Sequence, residues 1–265
     1  MNLIITVNYN NAELTNIMLN SINSLISNNN ISVIIVDNNS NDVNKIKKFE
    51  FSKIIQLKDN IGYFPALNVG IKSVNVKKYE NIIICNNDLI FDKDFFVNLK
   101  KRNYNSNVYA ISPRILDLDG NEQNPMLTKG ISYLKIHFYD LYYKNYYFGI
   151  LIYKIWQIVK PKKKLKYDFE AKRIFMGYGA IYVLTKNFFI NNELLESPPF
   201  LMGEEAFLAD QIYRTEGIEY YDPSLLVYHQ DHSSCSKIPK RKMYDITKES
   251  YKLYREKLFN LPRLH

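Results

Sequence analysis

The sequence predicts an α/β protein built on a mostly parallel central sheet flanked by helices. Three observations predict it. Short, continuously apolar runs recur along the first third of the chain, the pattern of strands buried on both faces. Segments with apolar residues at helical spacing lie between them, which is the rhythm of a βαβ sheet. Three of the runs stop abruptly at clusters of Asn and Asp. Parallel strands bring like ends to one edge, where open α/β sheets hold their ligands. With 265 residues, 46% of them hydrophobic, the chain can fill one large α/β core.

Each element can be justified in turn. Leu3-Ile4-Ile5-Thr6-Val7 reads as a strand ended by Asn8-Tyr9-Asn10-Asn11, and Leu14, Ile17, Met18, Ile22 and Leu25 then keep helical spacing. Ser32-Val33-Ile34-Ile35-Val36 is a second buried strand, stopping at Asp37-Asn38-Asn39-Ser40. Lys53-Ile54-Ile55-Gln56-Leu57 is a third, ended by Lys58-Asp59-Asn60-Ile61-Gly62. A helix carrying Ala66, Leu67, Val69 and Ile71 leads to the fourth strand, Asn81-Ile82-Ile83-Ile84-Cys85. That strand breaks into Asn86-Asn87-Asp88, and Asp92 or Asp94 suits the cap of a following helix. Beyond residue 110 spacing gives no code for the loops.

Composition excludes several classes. The two cysteines, Cys85 and Cys235, make no disulfide framework and suit a reducing cytosol. Met1-Asn2-Leu3 runs straight into a strand without a basic leader, so no signal peptide is expected. The longest apolar window, residues 146–159, is interrupted by Lys154 and falls short of the ~20 residues that span a bilayer. The net charge is +8 and matters only where it clusters. No helix-turn-helix pattern, zinc spacing or RNA-binding aromatic motif accompanies the basic residues, so nucleic acid is not an expected partner.

The polar edge narrows the chemistry. A dinucleotide fold would carry a glycine-rich turn after the first strand, where this chain has Asn8-Tyr9-Asn10-Asn11, and no phosphate-binding GxxxxGK[ST] loop is present. Asp37 suits hydrogen bonds from a base imide or ribose hydroxyl. Asp88 suits a hard divalent cation, Mn²⁺ or Mg²⁺, that would neutralise a diphosphate. Read from the residues alone, the edge is a site for a nucleotide and a metal. Asp88 also suits a turn, and Gly62 and Gly70 suit turn and packing geometry.

A longer series of motifs points further. Val7-Asn8-Tyr9-Asn10, Val36-Asp37-Asn38-Asn39-Ser40, Asn60-Ile61-Gly62-Tyr63 with Ala66, Asn68 and Gly70, Asn86-Asn87-Asp88, Gly177-Tyr178-Gly179-Ala180, Phe200-Leu201-Met202-Gly203-Glu204-Glu205 and Val227-Tyr228-His229 occur in this order. The chain thereby resembles the inverting family-2 glycosyltransferases of GT-A fold, in the rhamnosyltransferase-like branch of enzymes for bacterial surface polysaccharide such as O-antigen or capsule. The resemblance implies a Rossmann-like sheet, a nucleoside-diphosphate sugar donor (dTDP- or UDP-linked), a divalent cation, and an acceptor glycan or polyprenyl-diphosphate-linked glycan in the membrane. Carried over residue by residue, it implies donor contacts at Asn8, Tyr9, Asp37, Asn60, Gly62, Asn86 and Asn87, and a metal at Asp88 with His229. Asn86 stands where the family has the first Asp of its metal motif. Gly179 and Glu204 would meet the acceptor, and Glu205 would be the general base. It also implies a donor half over residues 1–112, an acceptor half over 113–235 with an insertion at 131–166, and a basic helix over 236–265, all within one continuous domain.

In the insertion, Ile131, Leu134, Phe138 and Leu141 keep helical spacing. Tyr142, Tyr143, Tyr146, Tyr147, Phe148, Tyr153 and Trp156 crowd in after them, followed by Lys160-Pro161-Lys162-Lys163-Lys164-Leu165-Lys166. Aromatics beside a polybasic run suit an anionic membrane surface, which would make the protein peripheral on the inner face of the cell membrane. They equally suit an acceptor-side subdomain with a solvated lysine loop. The tail from Lys240 to Leu258 reads as a basic amphipathic helix, and nothing in it sets an oligomeric state. Two rival functions stand beside the transferase. One is a sugar nucleotidyltransferase, whose glycine-rich loop after the first strand is missing. The other is a noncatalytic nucleotide-binding scaffold.

Overall fold

The computed structural model describes residues 1–26, 30–159, 167–196, 201–230 and 239–260, with side chains up to 155 in the fifth helix and up to 258 in the last. The polybasic run 160–166, the apolar loop 197–200, Cys235 and the side chain of Trp156 lie outside the described residues. β1 (Asn2–Asn8), α1 (Ala12–Asn23), β2 (Ile31–Asp37), β3 (Ser52–Gln56), α2 (Tyr63–Lys72) and β4 (Asn81–Asn86) form the first half. These strands pair in parallel in the order β3-β2-β1-β4. The strand bounds agree with the apolar runs within two residues, because a strand covered by helices on both faces must be apolar throughout. Between β2 and β3 the expected alternation is broken: the link carries only a 3₁₀ turn, Val43–Lys45, with Ile46 buried beside it.

The second half is of mixed direction. β5 (Leu89–Phe91), α3 (Phe95–Lys101), β6 (Val108–Asp117), α4 (Tyr133–Tyr142), α5 (Tyr146–Val159), β7 (Lys172–Ile174), β8 (Ile181–Thr185), α6 (Phe188–Asn191), α7 (Glu204–Arg214), β9 (Ile218–His229) and α8 (Lys240–Asn260) follow. β8 runs antiparallel between β4 and β6, β6 runs parallel to β9, and β5 and β7 pair antiparallel with β9. Asp94 stands at the N-cap of α3 without a side-chain cap bond, while Asp92 accepts the Asp94 N–H at 3.0 Å, so neither aspartate caps the helix directly.

The core lies on both faces of the sheet. One layer joins Met18, Leu19 and Ile22 of α1 to Ile4, Ile35 and Ile83. The other joins Leu67 and Ile71 of α2 to Ile5, Ile34 and Ile84. A third, smaller cluster sets Ile136 of α4 and Leu258 of α8 against Ala206 and Ala209 of α7. These layers hold the strand ends still, and the site is built on those ends.

Candidate active site

The ends of β1, β2 and β4 meet at one edge because the register pairs Asn8 with Asp37 and Val7 with Asn86. Asn8 is fully buried there and is the hub of a polar network. Its amide donates to Asp37 Oδ1 at 2.8 Å and Ser40 Oγ at 3.0 Å, and its Oδ1 accepts from Thr15 Oγ1 at 2.9 Å. Asn87 turns inward to the same cluster, donating to Thr15 Oγ1 at 2.8 Å and Asn8 Oδ1 at 3.3 Å. Asp37, also fully buried, accepts the Ser40 N–H at 3.0 Å on its second oxygen. Buried polar atoms need such partners, and here they fasten the loops after three strands to one another. Tyr9 projects outward beside the hub, 40% exposed.

A second amide clamp shapes the neighbouring loop. Asn38 donates to Asn60 Oδ1 at 2.8 Å and to the Gly62 carbonyl at 3.1 Å, and accepts the Ile61 N–H at 2.9 Å. Gly62 precedes α2 with φ of +94°, a conformation that favours glycine. Asn86, half-buried, is tied through its backbone N–H to the Ala180 carbonyl at 2.8 Å.

Asp88 and His229 come together because β5 and β9 place Leu89 opposite His229. His229 Nε2 lies 3.2 Å from Asp88 Oδ1, and both residues are buried. That is an ion-pair distance, yet the two atoms lack the alignment of a hydrogen bond. Each is buried without a hydrogen-bond partner among the described residues. A buried oxygen and nitrogen so directed at one space fit a divalent cation, for which carboxylate and imidazole are suitable ligands. Among the described residues no third His, Cys, Asp or Glu joins them, so the side-chain ligands would number two.

Two carboxylates meet the Gly177–Tyr178–Gly179 segment, Glu219 at Gly177 and Glu205 at Gly179. Glu204 and Glu205 open α7, whose N-cap is Gly203 in the left-handed region. Glu204 accepts the Met202 N–H at 3.1 Å, and burial followed by the Glu205 charge pushes its carboxyl up to about 7. Glu205 as a residue is only partly buried, but its carboxyl end lies against Gly179. A Cβ on that glycine would sit 2.5 Å from Glu205 Oε1. Enclosure of that end raises the Glu205 pKa, against a lowering by the backbone N–H groups of Glu205 and Gly179. The helix N-terminus favours an anion at both positions.

The sequence alone did not disclose four residues that support this arrangement. Glu219 of β9 is buried and accepts from Ser112 Oγ at 2.5 Å and from the Gly177 N–H at 2.7 Å. Its Oε2 has no partner among the described residues, and burial pushes its carboxyl up to about 7. Gln123 lies against His229 Nδ1 at 2.8 Å, and Asn124 accepts the Tyr178 N–H at 3.1 Å. A lone carboxylate inside the apolar run at 218–221 was a readable signal for Glu219. Ser112, Gln123 and Asn124 carry no pattern that marks them.

The family model described as glycosyl transferase family 2 matches residues 3–182. Among solved structures, the S. aureus TarS 1-349 complex with UDP-GlcNAc matches with a TM-score of 0.60 and 12% identity, over 100% of this chain and 68% of that one. The crystal structure of GalNAc-T7 with UDP, GalNAc and Mn²⁺ matches with a TM-score of 0.55 and 12% identity over 92% of this chain. The chain spans 47%, about half, of the length of that structure. At such identities the likeness is one of fold. No curated protein sequence matches the chain.

Proposed function

The chain belongs to glycosyl transferase family 2 and has the GT-A fold, and from that premise we propose that it transfers a sugar from a nucleoside diphosphate to an acceptor hydroxyl, with metal assistance and inversion of configuration. One observation carries the reading: the buried, unsatisfied Asp88 Oδ1 and His229 Nε2 facing each other at the polar edge. The UDP, Mn²⁺ and UDP-GlcNAc held by the structural neighbours support the same donor class. The Asn60-Ile61-Gly62-Tyr63 stretch supports the rhamnosyltransferase-like branch, a dTDP- or UDP-linked donor and a surface-polysaccharide product.

Asp88 and His229 would hold the cation, which when bound neutralises charge growing on the diphosphate leaving group. Glu205 takes the proton of the acceptor hydroxyl as that oxygen forms its bond to the anomeric carbon. The bond from that carbon to the diphosphate breaks on the opposite face, so one displacement inverts the centre and no covalent glycosyl-enzyme forms. Glu204 and Gly179 border the acceptor side. Asn8, Asp37 and Asn87, engaged with one another, shape the donor loops from beneath, while Tyr9, Asn60, Gly62 and Asn86 line them.

The acceptor fits a membrane-borne glycan. Leu134 of α4 and Tyr147, Leu151 and Ile155 of α5 are exposed apolar residues, and in sequence they precede the Lys160–Lys166 run. Among the described residues no helix is long and apolar enough to cross a membrane, so the contact would be peripheral.

The test is thermal stability with a panel of nucleoside diphosphates, each with and without Mn²⁺. A ligand at 100 times its dissociation constant stabilises by about 2.7 kcal/mol. A metal-dependent shift with one diphosphate, abolished in Asp88→Ala, is the expected result. A flat panel in folded protein would overturn the nucleotide-sugar reading, whereas a shift without sugar transfer would favour the noncatalytic scaffold.

A further inference from the structure

We propose that Gln123 is a positioning residue for the metal site: it fixes the tautomer and ring orientation of His229 so that Nε2 presents a lone pair beside Asp88. The inference rests on the metal reading above. A neutral imidazole has one N–H and one acceptor nitrogen, and the hydrogen bond at one nitrogen decides the role of the other. His229 Nδ1 lies 2.8 Å from Gln123 Oε1, a carbonyl oxygen that can only accept. With that oxygen facing the ring, a neutral His229 carries its proton on Nδ1 and leaves Nε2 as an acceptor 3.2 Å from the Asp88 oxygen. Neither atom has a hydrogen-bond partner among the described residues, so both stay open to a cation. The opposite tautomer would put the proton on Nε2 and close that nitrogen to a cation.

The chain holds Gln123 firmly enough for this task. Its N–H donates to the Ile115 carbonyl at 2.9 Å, on the returning limb of a tight turn after β6. Asp117 closes that turn by accepting the N–H groups of Asp119 and Asn121 at 2.9 and 2.7 Å. Arg114 bridges Glu122, the residue before Gln123, at 2.6 Å. The β6–β9 register sets Asp117 opposite His229, so the limb passes the ring at a fixed height. Partners of this kind typically contribute 10- to 100-fold in metal affinity.

Two measurements test the role without sugar transfer. The first is Mn²⁺ affinity in the presence of UDP, read from the electron paramagnetic resonance of free Mn²⁺. Gln123→Met, similar in shape but a poor acceptor, should weaken Mn²⁺ about 10- to 100-fold. Gln123→Glu, which keeps an acceptor at Nδ1, should restore it to within about threefold of wild type. The second is ¹⁵N NMR of the His229 ring in metal-free protein. The wild type and Gln123→Glu should show the Nδ1–H form, and Gln123→Met should lose it. Wild-type Mn²⁺ affinity in Gln123→Met, or failure of Gln123→Glu to rescue, would overturn the proposal while His229→Ala and Asp88→Ala still lose the metal. Retention of Mn²⁺ by those last two variants would overturn the metal reading itself.

Discussion

Replacing Glu205 by Gln keeps the side chain over Gly179 but removes the group that accepts a proton. Sugar transfer should fall about 10²- to 10⁴-fold while diphosphate binding persists. Equal loss of both in steady-state and binding assays would remove Glu205 from the role of base. The raised Glu205 pKa also has a sign: the base works only when ionised, so activity should climb with pH through a midpoint above the ordinary carboxylate range. Glu219 gives a stability prediction. Its pKa rises from 4.5 to about 7 in the folded protein, so the native state binds the extra proton between those values. Stability then declines as pH rises from about 4.5 through 7, by up to about 3 kcal/mol from this group. Glu219→Gln should match the wild type in urea unfolding near pH 4.5 and exceed it at pH 8. An identical difference at the two pH values would contradict a buried, costly charge. At this scale the sequence was partly legible. Asp88 stood out as the carboxylate that ends an apolar run, while His229, Glu204 and Glu205 were singled out by the family resemblance. Gln123 and Ser112 did not, because their importance comes from side-chain partners more than a hundred residues away, His229 and Glu219.

Among elements, α2 shows how closely the layers approach. A Cβ on Gly70 would sit 2.5 Å from Ile5 Cγ2 and 3.3 Å from Val36 Cγ2. Gly70→Ala gains helix propensity but must push α2 off β1, and overpacking of this kind costs typically about 1–3 kcal/mol. A net loss of roughly 1–2 kcal/mol in denaturant unfolding is expected. Unchanged or increased stability would mean that the helix can shift freely on the sheet. The elements up to β4 were legible because local patterning decides them: buried parallel strands are apolar along their whole length. The antiparallel entry of β8 between β4 and β6 was not legible, since strand order depends on pairings between distant segments that leave no local period. The missing helix between β2 and β3 has the same lesson in reverse, for a fold-level rhythm is only a tendency at any one link.

For the molecule as a whole, the unbalanced surface is the feature with a functional reading. Leu134, Tyr147 and Leu151 are 82%, 76% and 54% exposed on the α4–α5 pair, which soluble partners would not require. Cosedimentation with phosphatidylglycerol vesicles should retain the protein at low salt, release it as salt rises, and weaken in Leu151→Glu. Equal binding to neutral and anionic vesicles would remove the basic run from the contact, and binding to neither would leave the pair as an acceptor subdomain. The Asn8 hub has a consequence of another kind. Because Asn8, Thr15, Asp37, Ser40 and Asn87 already lock the loops after β1, β2 and β4 together, a donor bound there as proposed would order little that was loose. The entropic penalty of recognition would then be met when the chain folds, and a substitution that loosens the hub should raise the dissociation constant without touching the ligand.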